Sequence, residues 1–132
     1  MIPHTNNPAI PCARCGDLDG CHLPGKIRTN RLSLEEIWEQ HAAWSRATFG
    51  SDQERGPIGP LKHLAKEVQE ALADPSDLEE YADLVFLIFD ACRRAGFSLE
   101  QLRLALNEKL KVNRARQWPR NVAADQPTEH VR

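Results

Sequence analysis

The stretch HLAKEVQEALADPSDLEEYADLVFLIFDACRRAG, residues 63–96, decides the fold. Its apolar residues recur every three or four positions, which is the period of an amphipathic helix, and Pro75 interrupts this pattern. The segment from Leu84 to Phe89 is apolar on every side, and such a helix is central, covered by neighbours in its own subunit or in another. The stretch therefore predicts two helices joined by a short connection.

Helix start and stop signals continue on both sides of this stretch. A capping box is predicted at Ser33, Ser76 and Ser98. In this motif the Ser side chain accepts from a backbone N–H of the first turn, and an acid or amide three residues later accepts from the backbone N–H of the Ser. Four helices are expected: Ser33 to Gly50, near Pro60 to Pro75, Ser76 to Gly96, and Ser98 to Pro119. Since no alternating run is long enough for a strand, the sequence predicts an all-α fold, an antiparallel bundle of four main helices.

Composition limits the function classes. With 132 residues the chain has room for one domain, and its formal net charge of −2 does not indicate a nucleic-acid partner. No segment approaches the ~18 apolar residues that a membrane span needs. The N-terminus lacks a basic region followed by an apolar one, so no secretory signal is predicted. The expected location is the cytoplasm, without nucleic-acid or membrane partners.

The chain is predicted to have three parts: a Pro-, Gly- and Cys-rich extension (1–30), the helical domain (31–119) and a polar tail (120–132). The extension contains a C-x-x-C knuckle, which suits a tetrahedral structural zinc ion. Unliganded thiols in an extended arm are the alternative. The candidate zinc ligands are Cys12, Cys15, Cys21 and His22, with His4 as a further candidate.

Acidic and basic residues are segregated along the helical part. Residues 60–90 contain eight acids and two bases, whereas residues 91–120 contain eight bases and two acids. Adjacent segments of opposite sign suit a site that holds both a cation and a polyanion. Two complementary solvated surfaces would give a similar pattern.

Two pairs of carboxylates are the strongest candidates for chemistry. Glu67 and Glu70 are three residues apart, as are Glu80 and Asp83, so each pair projects from one helix face. The nine residues from 71 to 79 make the two helices antiparallel neighbours, and the four carboxylates then converge across their seam. Hard oxygen ligands select Mg²⁺ or Mn²⁺. The alternative is an ordinary solvated acidic face, although Asp83 directly precedes the apolar run, where an unpaired charge is costly.

Two further residues of the third helix have structural interpretations. Asp90 follows Asp83 by seven positions and is either an additional ligand or the ion-pair partner of Arg93 or Arg94. Cys92 lies within the apolar part of the helix and is predicted to be a small core residue.

The fourth helix contains a stripe of phosphate-binding candidates. Lys109, Asn113 and Arg116 are spaced by four and three positions, so they share one face. The two cations suit the β- and γ-phosphates of a nucleotide, and the amide suits the sugar or a phosphate. Trp118 follows the stripe and is a further candidate contact. The alternative is a basic helix C-terminus that complements the helix macrodipole.

Three ring side chains are candidates for other substrate contacts. Trp44 and Phe49 on the first helix are candidates to stack on a base, with ordinary core packing as the alternative. His63 lies on the face of Glu67 and Glu70, where it is expected to contact phosphate or to orient a carboxylate. A surface or capping histidine is the alternative.

The order of these motifs resembles the MazG-like all-α nucleotide pyrophosphohydrolases. The resemblance runs from about Leu32 to Pro119 and is closest to a phage and bacterial branch of dATP/dGTP pyrophosphohydrolases, which includes MazZ of phages with 2-aminoadenine genomes. The segments that resemble this branch are WSRATFG (44–50), HLAKEVQEAL (63–72), DPSDLEEYADLVFLIFDACRRAG (74–96) and NEKLKVNRARQWP (107–119).

The resemblance implies metal-dependent hydrolysis of dGTP and dATP to the monophosphate and pyrophosphate. It implies two or three Mg²⁺ or Mn²⁺ ions held by Glu67, Glu70, Glu80 and Asp83, and a homo-oligomer, expected to be a tetramer. The connection between the carboxylate pairs is shorter than in many members, which leaves its role in substrate binding open. Two alternatives remain: a pyrophosphohydrolase for another or damaged nucleotide, and a non-enzymatic, zinc-anchored helical adaptor.

Overall fold

A computed structural model describes residues 31–132 of the chain. This range contains four helices and no strand, so the predicted all-α fold is confirmed. The helices are α1 (Leu34–Phe49), α2 (Ile58–Ala73), α3 (Leu78–Arg94) and α4 (Leu99–Ala115). The candidate zinc ligands lie outside the described residues: His4, Cys12, Cys15, Cys21 and His22.

Two of the three predicted capping boxes are present. At the start of α1 the Ser33 hydroxyl accepts from the Glu36 amide at 3.1 Å, and the Ser33 amide donates to the Glu36 carboxylate at 3.4 Å. Ser98 and Gln101 form the same reciprocal pair at the start of α4. Gly50 and Gly96 follow α1 and α3 with positive φ angles of 109° and 97°, a conformation that favours glycine at helix ends.

The predicted capping box at Ser76 is wrong. The N-cap of α3 is Asp77, whose carboxylate accepts from the Glu79 amide at 2.9 Å. Ser76 instead donates to the Asp74 carboxylate at 2.8 Å. An Asp is an equally good N-cap, and this one lies directly before the first helical residue, so it displaces the serine.

Two helix boundaries also differ from the prediction. The second helix begins at Ile58, two residues before Pro60, because a proline in the first turn lacks only an N–H that has no intrahelical acceptor. The fourth helix ends at Ala115 rather than at Pro119, and Arg116 already has an extended conformation. There the Trp118 indole N–H donates to the Asn113 carbonyl at 2.7 Å, which satisfies one of the exposed carbonyls of the last turn.

The third helix is central, as predicted. Residues 38–132 form one compact unit, within which α3 packs against α2 and α4. It also packs against α1, where the Trp38 and Phe89 rings lie 4.9 Å apart and the His41 and Phe86 rings stack at 4.6 Å. A single chain nevertheless leaves much of the apolar surface open. Val85 and Ile88 remain exposed on α3.

The fourth helix is the most open element. None of its residues is buried, and Leu106 and Leu110, four positions apart on one helix face, are 63% and 49% exposed. Among the helices of residues 31–132, none is long and apolar enough to span a membrane.

Candidate metal centre

The short turn between α2 and α3 brings the acidic pairs together. Residues 74–77 connect the helices, and the Tyr81 hydroxyl donates to the Pro75 carbonyl at 2.8 Å, which ties α3 to the turn. As a result, Glu67, Glu70 and Glu80 each offer a carboxylate oxygen within 4.8 Å of the others. These three residues are called the acidic cluster below.

Glu80 is the most informative member of the acidic cluster. Its Oε2 atom is buried and has no hydrogen-bond partner. Within residues 31–132 only one other buried side-chain nitrogen or oxygen lacks a partner, His41 Nδ1. Burial raises the pKa of Glu80 above its ordinary value, and the nearby charges of Glu70, Asp77 and other acids raise it further. A buried carboxylate oxygen without a partner is costly, and a bound cation would remove that cost.

Asp83 lies outside the group of three. It is three residues further along α3 than Glu80, about 4.5 Å along the helix axis. Its charge is nevertheless close enough to help raise the pKa of Glu80. The structure therefore brings three of the four predicted ligands into mutual contact distance and places the fourth on the adjacent turn.

His63 lies against the acidic cluster. Its Nε2 atom is 2.8 Å from the Glu67 carboxylate, one turn along α2, while the imidazole remains exposed. This position places a ring nitrogen where it orients a carboxylate of the cluster.

The opposite end of the α2–α3 seam contains a buried ion-pair network. The Asp90 carboxylate accepts from the Ser45 hydroxyl and from the Arg93 guanidinium, both at 2.6 Å, and from Arg94 at 3.3 Å. Burial alone would raise the pKa of Asp90, but the Ser45 hydrogen bond and the two guanidinium groups hold it below its ordinary value. Of the two interpretations of Asp90, the structure supports the ion pair.

Arg94 also fixes the loop between α1 and α2. Its side chain is 1% exposed. The Arg94 Nη1 atom donates to three backbone carbonyls of this loop, those of Gly50, Ser51 and Arg55, at 3.1–3.2 Å. Asp52 in the same loop accepts from Arg46 at 2.8 Å, and this hydrogen bond lowers the pKa of Asp52.

The sequence prediction did not single out Ser45 or Asp52. Both contact arginines that lie more than forty positions later in the chain, at separations of 48 and 41 residues for Arg93. No local spacing rule connects residues so far apart, so only the packing of α1 and the loop that follows it against α3 identifies them.

The candidate phosphate stripe lies only partly on the open helix α4: Lys109 and Asn113 are helical, but Arg116 follows the last helical residue in an extended conformation, so the prediction that all three share one helix face is wrong. Lys109 is exposed, whereas Asn113 and Arg116 are half-buried. Neither cation has an ion pair among the described residues; by contrast Lys111, on the same helix, contacts Glu108 at 3.1 Å. The two cations are therefore available to an anionic ligand.

The two candidate tryptophans have different surroundings. Trp118 holds the end of α4 through Asn113 and meets the His130 ring edge-on at 6.0 Å. Trp44 is 56% exposed on α1 and meets the Phe49 ring edge-on at 5.5 Å. Trp44 is not a core residue of this chain, so it is accessible to a planar ligand.

The chain is similar to two phage proteins. It is 55% identical over 85 residues to the Eaa protein of Salmonella phage P22, a match that covers 64% of this chain and 26% of the relative. The chain thus spans about a quarter of the length of that relative. A solved structure of the cyanophage S-2L MazG-like pyrophosphohydrolase, bound to dGDP and three catalytic Mn²⁺ ions per active site, matches with a TM-score of 0.60 and 28% identity. That match covers 77% of this chain and all of the cyanophage chain.

The sequence profile of the dATP/dGTP pyrophosphohydrolase family matches residues 37–132. This range includes the acidic cluster, the buried ion-pair network, helix α4 and the C-terminal segment. Because the match covers well over half of the sequence, the chain belongs to the dATP/dGTP pyrophosphohydrolase family.

Proposed function

We propose that the protein is a metal-dependent pyrophosphohydrolase that cleaves dGTP and dATP between the α- and β-phosphates. The products are the deoxynucleoside monophosphate and pyrophosphate. The observation that supports this best is the acidic cluster, in which three carboxylates converge and one oxygen of Glu80 is buried without a partner. Family membership and the dGDP-bound cyanophage neighbour support the substrate class. The reaction belongs to the cytoplasmic nucleotide pool, which it would adjust during phage replication.

The acidic cluster fits divalent cations. Glu67, Glu70 and Glu80 offer hard oxygen ligands, and Asp83 on the next turn completes the proposed set. Ions bound there supply charge neutralisation and Lewis-acid activation of the phosphates and of water. The proposed ions are Mg²⁺ or Mn²⁺, because all four ligands are carboxylates. The predicted zinc ion of residues 1–30 stays a separate prediction.

The protein's own residues hold the substrate. The carboxylate of Glu67 is oriented by His63 at 2.8 Å. Lys109 and Arg116 are proposed to neutralise the β- and γ-phosphates, and Asn113 to contact the sugar or a phosphate. Two aromatic residues are proposed as further substrate contacts, Trp44 toward the base and Trp118 at the end of the phosphate stripe.

The proposed enzyme is a homo-oligomer, with a tetramer as the expected assembly. In support, α4 has no buried residue, and large apolar side chains are exposed on α2 and α3 as well, Leu72 at 67% among them. An apolar surface of this extent is typical of subunits whose interfaces form with folding. Light scattering should therefore give a mass that is a multiple of the 14.9 kDa chain. Leu106→Glu should lower that mass, and a wild-type monomer at micromolar concentration would contradict the assembly.

The function is tested with a panel of the common ribo- and deoxynucleoside triphosphates, extended by dUTP and an oxidised purine deoxynucleoside triphosphate. The purified protein is incubated with each, in Mg²⁺ or Mn²⁺ and in chelator, and the nucleotide products are separated by chromatography. The expected result is equimolar monophosphate and pyrophosphate from dGTP and dATP, lost in chelator. In water enriched in heavy oxygen, the label should enter the monophosphate, since the water attacks the α-phosphorus.

Other outcomes discriminate the alternatives. Preferential cleavage of dCTP, dUTP or an oxidised nucleotide would identify a pyrophosphohydrolase with a different substrate. Diphosphate and inorganic phosphate as products would contradict the proposed bond. No cleavage of any triphosphate, with metal present, would favour the adaptor.

A further inference from the structure

A cavity of about 160 Å³ lies beside the acidic cluster at the N-terminal end of α2. We call it the loop cavity, because the loop between α1 and α2 forms one wall. His63 lines the loop cavity and also contacts Glu67 at 2.8 Å, so one residue belongs to both sites. Its walls also include Phe49, Arg55, Leu87 and Arg94.

The walls of the loop cavity are held in place by buried contacts. Arg94, at 1% exposure, forms part of the wall and donates to the carbonyl of Arg55 at 3.2 Å. The same guanidinium bonds the carbonyls of Gly50 and Ser51, which fixes the backbone that carries Arg55. The cavity is therefore formed before any ligand arrives, which reduces the entropy lost on binding.

The chemistry of the walls suits a flat ring with acceptor atoms. Phe49 offers an aromatic face and Leu87 an apolar surface, and the Arg55 guanidinium carbon lies 5.8 Å from the centre of the Phe49 ring. A guanidinium has only donors, arranged as a planar fork. Guanine presents two adjacent acceptors, O6 and N7, whereas adenine presents one acceptor and one donor at the corresponding positions.

The position of the cavity relative to the cluster fits a nucleotide that lies along the α2–α3 seam. His63 precedes Glu67 by one helical turn, about 6 Å along the axis. A ligand whose phosphates lie at the acidic cluster extends its nucleoside in this direction when it follows the seam. The loop cavity is small compared with the ~300–1,000 Å³ of whole-ligand pockets, so it suits a single ring system rather than an entire nucleotide.

We propose that the loop cavity receives the nucleobase of the substrate and that Arg55 is a specificity-determining residue that favours guanine over adenine. This inference rests on the proposed function, since it requires the phosphates to lie at the acidic cluster. Phe49 stacks on the base, and Trp44, which does not line the loop cavity, acts through Phe49 by packing edge-on against its ring at 5.5 Å. Arg94 is a positioning residue that holds the loop.

The test compares kcat/KM for dGTP and dATP in three proteins: wild type, Arg55→Ala and Arg46→Ala. Arg55→Ala should lower the dGTP-to-dATP ratio about tenfold, the discrimination expected for one bidentate arginine–guanine contact. Arg46→Ala is the matched control, because Arg46 contributes a cation to the same loop through Asp52 but does not line the cavity. It should leave the ratio unchanged. Arg55→Lys keeps the charge without the fork and should not restore the ratio.

A binding measurement gives a readout that does not depend on turnover. Calorimetry of dGMP and dAMP with Mn²⁺ present should show a loss of affinity for dGMP in Arg55→Ala that exceeds the loss for dAMP. If wild type hydrolyses both triphosphates and Arg55→Ala keeps the wild-type ratio and wild-type dGMP affinity, the inference is wrong and the proposed function stands. If wild type hydrolyses no triphosphate, the proposed function itself fails.

Discussion

The two ends of the α2–α3 seam hold carboxylates in opposite states. At one end Asp90 is buried, and both of its oxygens accept from protein donors, so its charge is neutralised within the chain. At the other end Glu80 has a buried oxygen with no partner, and its neighbours are further acids. The first arrangement stabilises the fold by itself, whereas the second is the one that we propose is completed by bound cations. Compensation of charge thus distinguishes the structural acid Asp90 from the proposed metal ligand Glu80 on the same pair of helices.

The largest expected effect is the loss of turnover when a carboxylate charge is removed from the acidic cluster, the uncompensated end of the α2–α3 seam. Glu67→Gln and Glu80→Gln keep the side-chain shape and remove one charge, and they should lower kcat by about a thousand-fold or more, since metal activation supplies several kcal/mol. The helical circular dichroism should remain that of wild type. The matched control is Glu79→Gln, the same change at the neighbouring exposed residue, which should turn over normally. Wild-type kcat in Glu80→Gln would show that the acidic cluster is not the metal centre.

At the end of the seam that holds Asp90, whose charge is compensated by protein donors, a substitution should lower the free energy of unfolding. Arg94→Met leaves Asp90 with one cation fewer and three loop carbonyls without their donor. Breaking one partner of a buried ion pair costs about 3–5 kcal/mol, which should appear in the free energy of unfolding measured in urea. Arg114→Met, at an exposed position of α4, is the control and should cost less than about 1 kcal/mol. Equal losses in the two variants would contradict the structural role of the network.

An intermediate effect is expected at the C-terminal part of α4, where Lys109 on the helix and Arg116 just beyond its end form no ion pair with the described residues. Lys109→Ala and Arg116→Ala should each lower kcat/KM by an amount equivalent to about 1.5–3 kcal/mol, the range for charge-assisted hydrogen bonds. Their effect on unfolding should stay within about 0.3–1 kcal/mol. Lys111→Ala is the control, because Lys111 is paired with Glu108 on the same helix. Unchanged kinetics with a small loss of stability would instead indicate that the stripe only complements the helix macrodipole.

The smallest expected effect is a difference in pH dependence between the two ends in metal-stripped protein. Because the pKa of Asp90 is lowered, its ionised form stabilises the folded state at pH values above the ordinary pKa of 3.8, and this stabilisation is lost as the pH falls through the lowered pKa. The raised pKa of Glu80 has the opposite effect. Its protonated form stabilises the folded state at pH values below the ordinary pKa of 4.5, and this stabilisation is lost as the pH rises through the raised pKa. Thermal unfolding of wild type and Glu80→Gln should therefore coincide in acid and separate toward neutrality, with the variant more stable. If the difference between the two unfolding temperatures instead became smaller toward neutral pH, the upward direction assigned to the pKa of Glu80 would be wrong.

Much of the fold was predictable because its signals are local. The apolar period, the capping boxes at Ser33 and Ser98 and the glycines at 50 and 96 each depend on a few neighbouring residues. The error at Ser76 has a local cause as well, since Asp77 competes for the same capping position. The pairing of the two carboxylate motifs was predictable because a short connection leaves their helices few arrangements.

The remaining features depend on contacts between distant segments. The ion-pair network joins α1, the loop that follows it and the end of α3, and Arg94 holds the loop that forms one wall of the loop cavity. Sequence spacing offered two interpretations of Asp90 and did not single out Arg55. The extent of the exposed apolar surface on α4 was likewise not predictable from the sequence. The spacing of Leu106 and Leu110 indicates an apolar helix face, but it does not indicate whether that face packs within the same chain or against another.

The most direct test of the central claim is Mn²⁺ binding to the metal-stripped protein, followed by calorimetry or by the electron paramagnetic resonance of the free ion. Wild type should bind Mn²⁺ saturably, because the converging carboxylates of the acidic cluster offer hard oxygen ligands. Glu80→Gln should lose most of this binding, while Glu79→Gln should retain it. No saturable binding by wild type, or equal binding by wild type and Glu80→Gln, would contradict the claim that the uncompensated end of the α2–α3 seam is a metal centre.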